Sequence, residues 1–196
     1  MNPVRIILSL VPLVAYGLLS RFLVPGWAAL ICAVLALLVV LTDLRGGIKL
    51  VPLTGAVMLS GLAVIGFVVS PDAYPFLEAY AHGIAVLLVG LVILATASTA
   101  PFTAAYAKQS VPEQYWTSPT FLSTNRRIST AWGLAVTAIG VAHLIAGAIT
   151  ASGASLPIIE ALLNWGVEIW VIIHAYIYTQ RTAAAAGHDS STATTA

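Results

Sequence analysis

Six stretches of this chain are apolar for roughly the 20 residues that a helix needs to cross a bilayer. They fall at residues 5–23, 26–42, 49–70, 77–98, 128–151 and 157–180. A water-soluble fold could not hide so much apolar surface. Of the 196 residues, 60% are hydrophobic and only 8% are charged, against about 25% charged in an ordinary soluble domain. Inside lipid a backbone must satisfy its own hydrogen bonds, and runs of this length do so as helices. The expected fold is therefore all-α: a polytopic membrane protein, a bundle of six transmembrane helices built as three consecutive helical hairpins.

The first hairpin rests on Val24-Pro25-Gly26. Proline breaks the helix there and glycine permits a tight reversal, and one long helix over 1–42 would strand Arg21 at its centre. Arg5 before an apolar run also suggests a signal peptide, but bulky residues and Arg21 follow where a small-residue cleavage site would stand. Residues 182–196 are rich in Ala, Ser and Thr, have nothing to bury, and are expected to be a disordered tail.

Basic residues set the orientation. Six spans place Arg5, Arg45, Lys49, Lys108, Arg126, Arg127 and Arg181 on one side, leaving Arg21 alone on the other with Asp72 and Glu78. An even span count with both termini and the 99–127 loop in the cytoplasm follows. Trp27, Tyr74, Tyr80, Tyr115, Trp116 and Trp132 lie near span ends, where amphipathic rings favour the interface. Leu10-Val11-Pro12-Leu13 recurs as Leu50-Val51-Pro52-Leu53, with Leu19-Ser20 and Leu59-Ser60 at the same offset. The pattern hints at a duplication, and both prolines read as kink sites.

Ionisable groups at membrane depth are costly and point to function or to helix contacts. Glu160, Asn164, Glu168, His174 and Tyr178 fall within one arc of roughly 120° on the last span. This stripe reads either as a proton or substrate path or as interhelical hydrogen bonding. Glu160, just after Pro157, also suits the positive end of the helix dipole. Glu168 is expected to be neutral or to bond a group such as His143 on the fifth span, with Asn164 crossing the same interface. His143 shares a face with Gly133, Gly140 and Gly147, which would admit the last span closely. His82 sits beside Gly83 near the outer interface, where a structural role is expected. Arg21 is expected to pair with Asp72, Glu78 or Glu160.

Several chemistries find little support. A net charge of +1 gives no reason to expect a nucleic-acid partner. Cys32 is the only cysteine, so no disulfide forms within one chain. No two histidines have a close ligand spacing such as i and i+4. No catalytic residue, metal or cofactor is assigned, although His82 and His143 lie at depths that make paired axial ligation of a haem an alternative.

The loop from Pro101 to Trp132 is the least repetitive part of the chain. Phe102, Ala105 and Tyr106 can face lipid while Lys108 and Gln109 face water, as in a short interfacial helix. Arg126 and Arg127 then precede the fifth span. With Lys108 and Trp116 they are candidate contacts for lipid phosphates or partners. Val11-Pro12-Leu13-Val14, the basic 43–49 loop, Pro101-Phe102, Val111-Pro112 with Trp116, and Asn125-Arg126-Arg127 leading to Ala131-Trp132-Gly133 together resemble the intracellular septation protein A family, as a distant relative. The layout matches over about residues 5–180. The first hairpin is shorter, the tail is Ala/Ser/Thr-rich, and the 99–127 loop is long and polar. The resemblance implies a bacterial inner-membrane protein tied to the cell envelope and acting through protein partners, with no established catalytic residue.

The leading expectation is thus a non-enzymatic scaffold or accessory subunit of a larger membrane complex. Its partners would be the bilayer and other membrane proteins or further copies of itself. The alternatives are a small transporter or lipid-handling protein using the polar face of the last span, and a haem-bearing electron carrier.

Overall fold

The computed structural model describes residues 4–42 and 49–192, with side chains described as far as residue 186. Among the described residues it is helical and contains no strand. The long helices are α1 (Val4–Leu19), α2 (Pro25–Thr42), α3 (Leu50–Val68), α4 (Tyr74–Thr96) and α6 (Pro119–Ala151). A five-residue helix, α5 (Thr103–Ala107), lies between α4 and α6. The last segment starts as α7 (Pro157–Ala161), passes through a π-helical turn (Leu162–Gly166) and continues as α8 (Val167–Thr192). Five helical segments are long and apolar enough to cross a membrane, so the chain is built as a multi-pass membrane protein. Helix α1 is apolar but has only 16 residues.

Prolines begin several of these helices. Pro25, Pro119 and Pro157 stand in first turns, where their missing N–H is not needed. At Pro119 the entry is completed by Ser118, whose Oγ accepts the Phe121 N–H at 3.2 Å. Helix α6 therefore starts nine residues before the expected position 128. Arg126 and Arg127 lie exposed within it, and they do not precede it as the loop reading held. Gly153, at φ 76°, ends the same helix in the left-handed region that favours glycine.

The closest packing joins α2 to α3 and α4 to α6. The expected hairpins of the first, second and third pairs of spans are looser. Small residues explain this. Helix α2 buries Ala28, Ala29, Cys32, Ala33 and Ala36. Along α4 and α6, Gly83 meets Leu144, Leu87 meets Gly140, Gly90 meets Thr137 and Leu94 meets Gly133, which is an antiparallel register. A Cβ on Gly140 would lie 2.5 Å from the Leu87 backbone nitrogen, so only glycine admits this approach. The glycine face of α6 thus receives α4 and not the last span, the neighbour expected from the sequence.

Other local expectations change too. Pro12 lies inside α1, but Pro52 falls in the first turn of α3, where it bends nothing. The two Leu-Val-Pro-Leu motifs therefore occupy unlike positions, and their similarity is not a structural repeat. Helix α5 is no interfacial helix: Phe102, Thr103 and Tyr106 are buried against the bundle. Trp132 is not at an interface; it is 1% exposed and donates from Nε1 to Thr179 Oγ1 at 2.9 Å. Helix α8 continues through Thr192, past the start of the expected tail at 182. Residues 43–48, with Arg45 and most of the basic loop, and residues 193–196 lie outside the described residues.

Candidate functional site

At the end of the bundle that carries Arg21, a cavity of about 800 Å³ runs inward between α1, α4, α6 and the α7–α8 segment. Its rim includes Arg21, Glu78, Thr150 and Glu160, and its floor is His82, His143, Asn164 and Glu168. The volume is of the size that holds small ligands.

The floor is built by three helices. His143 comes from α6 and is 5% exposed; Glu168 opens α8 and is 7% exposed. His143 Nδ1 donates to Asn164 Oδ1 at 2.7 Å. That bond leaves Nε2 as the free lone pair of a neutral ring. Nε2 has no hydrogen bond and faces Glu168 Oε2 at 3.8 Å. At 3.8 Å the two groups do not share a proton; an approach of about 1 Å would bring them to hydrogen-bonding distance, where one proton gives either a neutral pair or an ion pair. Asn164 belongs to the π-helical turn. Such turns shift the register of the residues that follow and recur at functional positions.

His82 extends the floor through α4. Its ring lies 4.3 Å from that of His143 and 6.0 Å, edge on, from Tyr16. It rests on Gly17, where a Cβ would come within 3 Å of the ring. His82 is therefore part of the inner cluster of polar groups. Because the two rings are in contact, no porphyrin fits between them, and the pair does not suit axial ligation of a haem. Among the described residues, no group of three His, Cys, Asp or Glu side chains is placed to hold a metal ion.

The rim differs from expectation. Arg21 forms no ion pair with Asp72, Glu78 or Glu160; its guanidinium lies 5.7 Å from the centre of the Trp165 ring, a cation–π contact. Glu160 accepts from Thr150 Oγ1 at 3.2 Å and from the Leu156 N–H at 3.4 Å. It thereby closes the α6–α7 turn, which is the helix-start role its position suggested.

The polar stripe divides. Asn164 and Glu168 face inward, whereas His174 is exposed, with Nδ1 on the Trp170 carbonyl at 2.7 Å and its ring 4.1 Å from the indole. Tyr178 is 41% exposed. Six residues turn a helix by about 240°, so Glu168 and His174 stand at opposite limits of the arc and cannot both face the bundle.

No protein-family model, curated protein or solved structure matches this chain.

A second set of buried polar groups lies at the opposite end, which carries Arg5. Thr103 Oγ1 donates to Asn125 Oδ1 at 3.0 Å and contacts Ser129 Oγ at 3.0 Å; all three residues are nearly inaccessible. Ser9 Oγ and Tyr106 Oη are 2.6 Å apart. Arg5 bonds Gln109, Lys49 Nζ lies 4.6 Å from the Tyr106 ring, and Lys108 Nζ lies 4.8 Å from that of Trp116. Of the four candidate contact residues, Lys108 and Trp116 are thus engaged with each other, while Arg126 and Arg127 remain exposed on α6. The sequence reading passed over Thr103, Ser129 and Thr179. Single hydroxyls in apolar runs carry no signal until the helices that bury them are placed.

Proposed function

We propose that this chain is a small membrane carrier that admits a polar solute at the Arg21 end and couples its binding to a proton on the His143–Glu168 pair. The observation that carries the reading is the position of that pair, buried and held by Asn164, on the floor of an 800 Å³ cavity. Hydrogen bonding for helix packing alone would not need a vestibule above it. With Glu78 and Glu160 on the rim beside Arg21, the lining offers partners to both signs of charge, which suits small zwitterions.

The test uses the purified protein in proteoliposomes with a pH-sensitive dye inside. A panel of amino acids, small carboxylates and amines is added outside, and proton movement is followed. At least one class should drive proton uptake, and Glu168→Gln should reduce it at least tenfold while the variant stays folded. The same proton response in Glu168→Gln and wild type, or no response to any solute, would reject the carrier reading.

A second reading, an accessory subunit of a larger complex, is favoured by one feature. Trp170 (63% exposed) and His174 present a polar group and a large ring on the outward face of α8, and a partner helix could satisfy the remaining imidazole nitrogen. The resemblance to the septation proteins supports an envelope setting and a bacterial inner-membrane location, and the one-sided clustering of basic residues supports six spans with both termini cytoplasmic. Proteins co-purifying in mild detergent with wild type but not with His174→Leu would identify such a partner.

A further inference from the structure

Below the His82–Glu168 floor the packing becomes wholly apolar. Leu10 and Leu13 of α1, Val86 of α4, Val136 and Ile139 of α6, and Ile172 of α8 surround a void of about 20 Å³ whose only polar edges are His82 and Glu168. A void that size holds about one water, and a water there could bond only upward. Beyond this layer the next polar groups on α1 are Ser9 and its partner Tyr106. Ser9 also donates to the Arg5 carbonyl at 2.9 Å, and in the Ser9–Tyr106 contact either hydroxyl can be the donor. Gly17, under His82, is eight residues from Ser9. At 1.5 Å per residue the apolar step is about 12 Å.

From this geometry we infer that the protein conducts protons across the whole bilayer, with the Leu10–Leu13 layer as its gate and the Ser9–Tyr106 hydroxyls as the opposite terminus. The inference rests on the proposed role of the His143–Glu168 pair. Three or four waters in file would bridge the step. Each oxygen would receive a proton from the vestibule side and pass one on; the last, the Tyr106 hydroxyl, would hand its proton to water at the Arg5 end, and the file would then turn to reset, so no redox partner is needed. The charged and titratable groups around Glu168 at the upper terminus are His143 on α6, His82 and Glu78 on α4, Tyr16 and Arg21 on α1, and Glu160 on α7. Around the lower terminus they are Arg5 and Lys49. Burial pushes the Tyr106 phenol up to about 12, against the smaller opposing effect of its Ser9 bond; it therefore relays as a neutral hydroxyl and does not store charge.

In this inference α1 is the element that opens the gate. The Thr103–Asn125–Ser129 and Trp132–Thr179 bonds tie α5, α6 and α8 together below the layer. Pro12, between Leu10 and Leu13, has no N–H for the Leu8 carbonyl. A bend there would draw both leucines out of the layer together.

Proton flux into dye-loaded proteoliposomes, driven by a valinomycin-clamped potassium gradient, tests the gate. Leu13→Ser should raise flux at least tenfold over wild type. Adding Glu168→Gln or Tyr106→Phe to that variant should return flux towards the protein-free rate. If Leu13→Ser does not fold, Ile172→Ser opens the same layer from α8. A folded Leu13→Ser or Ile172→Ser protein with wild-type flux would overturn the inference, as would a leak insensitive to both added substitutions. Solute-driven uptake in wild type is read separately. A leak that follows Glu168 and Tyr106 without any solute response would retain the proton path and discard the solute.

Discussion

The α4–α6 seam predicts opposite effects for one substitution made at two glycines. Gly140 faces α4, and a new Cβ would stand 2.5 Å from the Leu87 backbone nitrogen, where ordinary contact needs about 3.5 Å. Backbone cannot rotate away as a side chain would, so the helices must part by about 1 Å or distort. Overpacking of this kind costs about 1–3 kcal/mol, against which alanine returns up to about 1 kcal/mol of helix propensity. Gly140→Ala is therefore expected to destabilise by about 1–2 kcal/mol. Gly61, on the exposed face of α3, has nothing within 4 Å of a built Cβ, so Gly61→Ala keeps the propensity gain and should be neutral or stabilising by up to about 1 kcal/mol. Equilibrium unfolding by sodium dodecyl sulfate in mixed micelles, followed by circular dichroism, reads both. A neutral Gly140→Ala, or two variants shifted equally in the same direction, would show that the seam is not set by backbone contact.

Thr179→Val leaves the buried Trp132 N–H without its acceptor and should cost about 1–2 kcal/mol. In the same unfolding assay, Trp132→Phe on that background should cost less than it does in wild type. Single cysteines in a Cys32→Ala background should label from opposite sides of the membrane at Ser110 and Ala73; labelling of both from one side would defeat the even-span topology.

The membrane class and the helices could be read directly from the chain, because the length and apolarity of each run are local properties and the bilayer is the same for every helix. The spacing of Asn164 and Glu168 also placed them together on one face, and the adjacency of the last two spans suggested His143, which bonds Asn164. Sequence periodicity states which residues share a face, however, and does not say what that face meets. His143 turned to the vestibule while the glycines of its own helix received α4, because backbone contact needs glycine whereas a polar ring needs a polar partner. His174 left the stripe because six residues carry it to a position about 120°, a third of a turn, from Glu168. Tyr106 and Thr103 became interior because α5 packs against α1 and the early turns of α6, and Trp132 because α8 lies over it with Thr179, placements that no local pattern encodes. The apolar layer beneath Glu168 draws its side chains from four helices distant in the chain. It exists only once those helices are packed at their final rotation and depth.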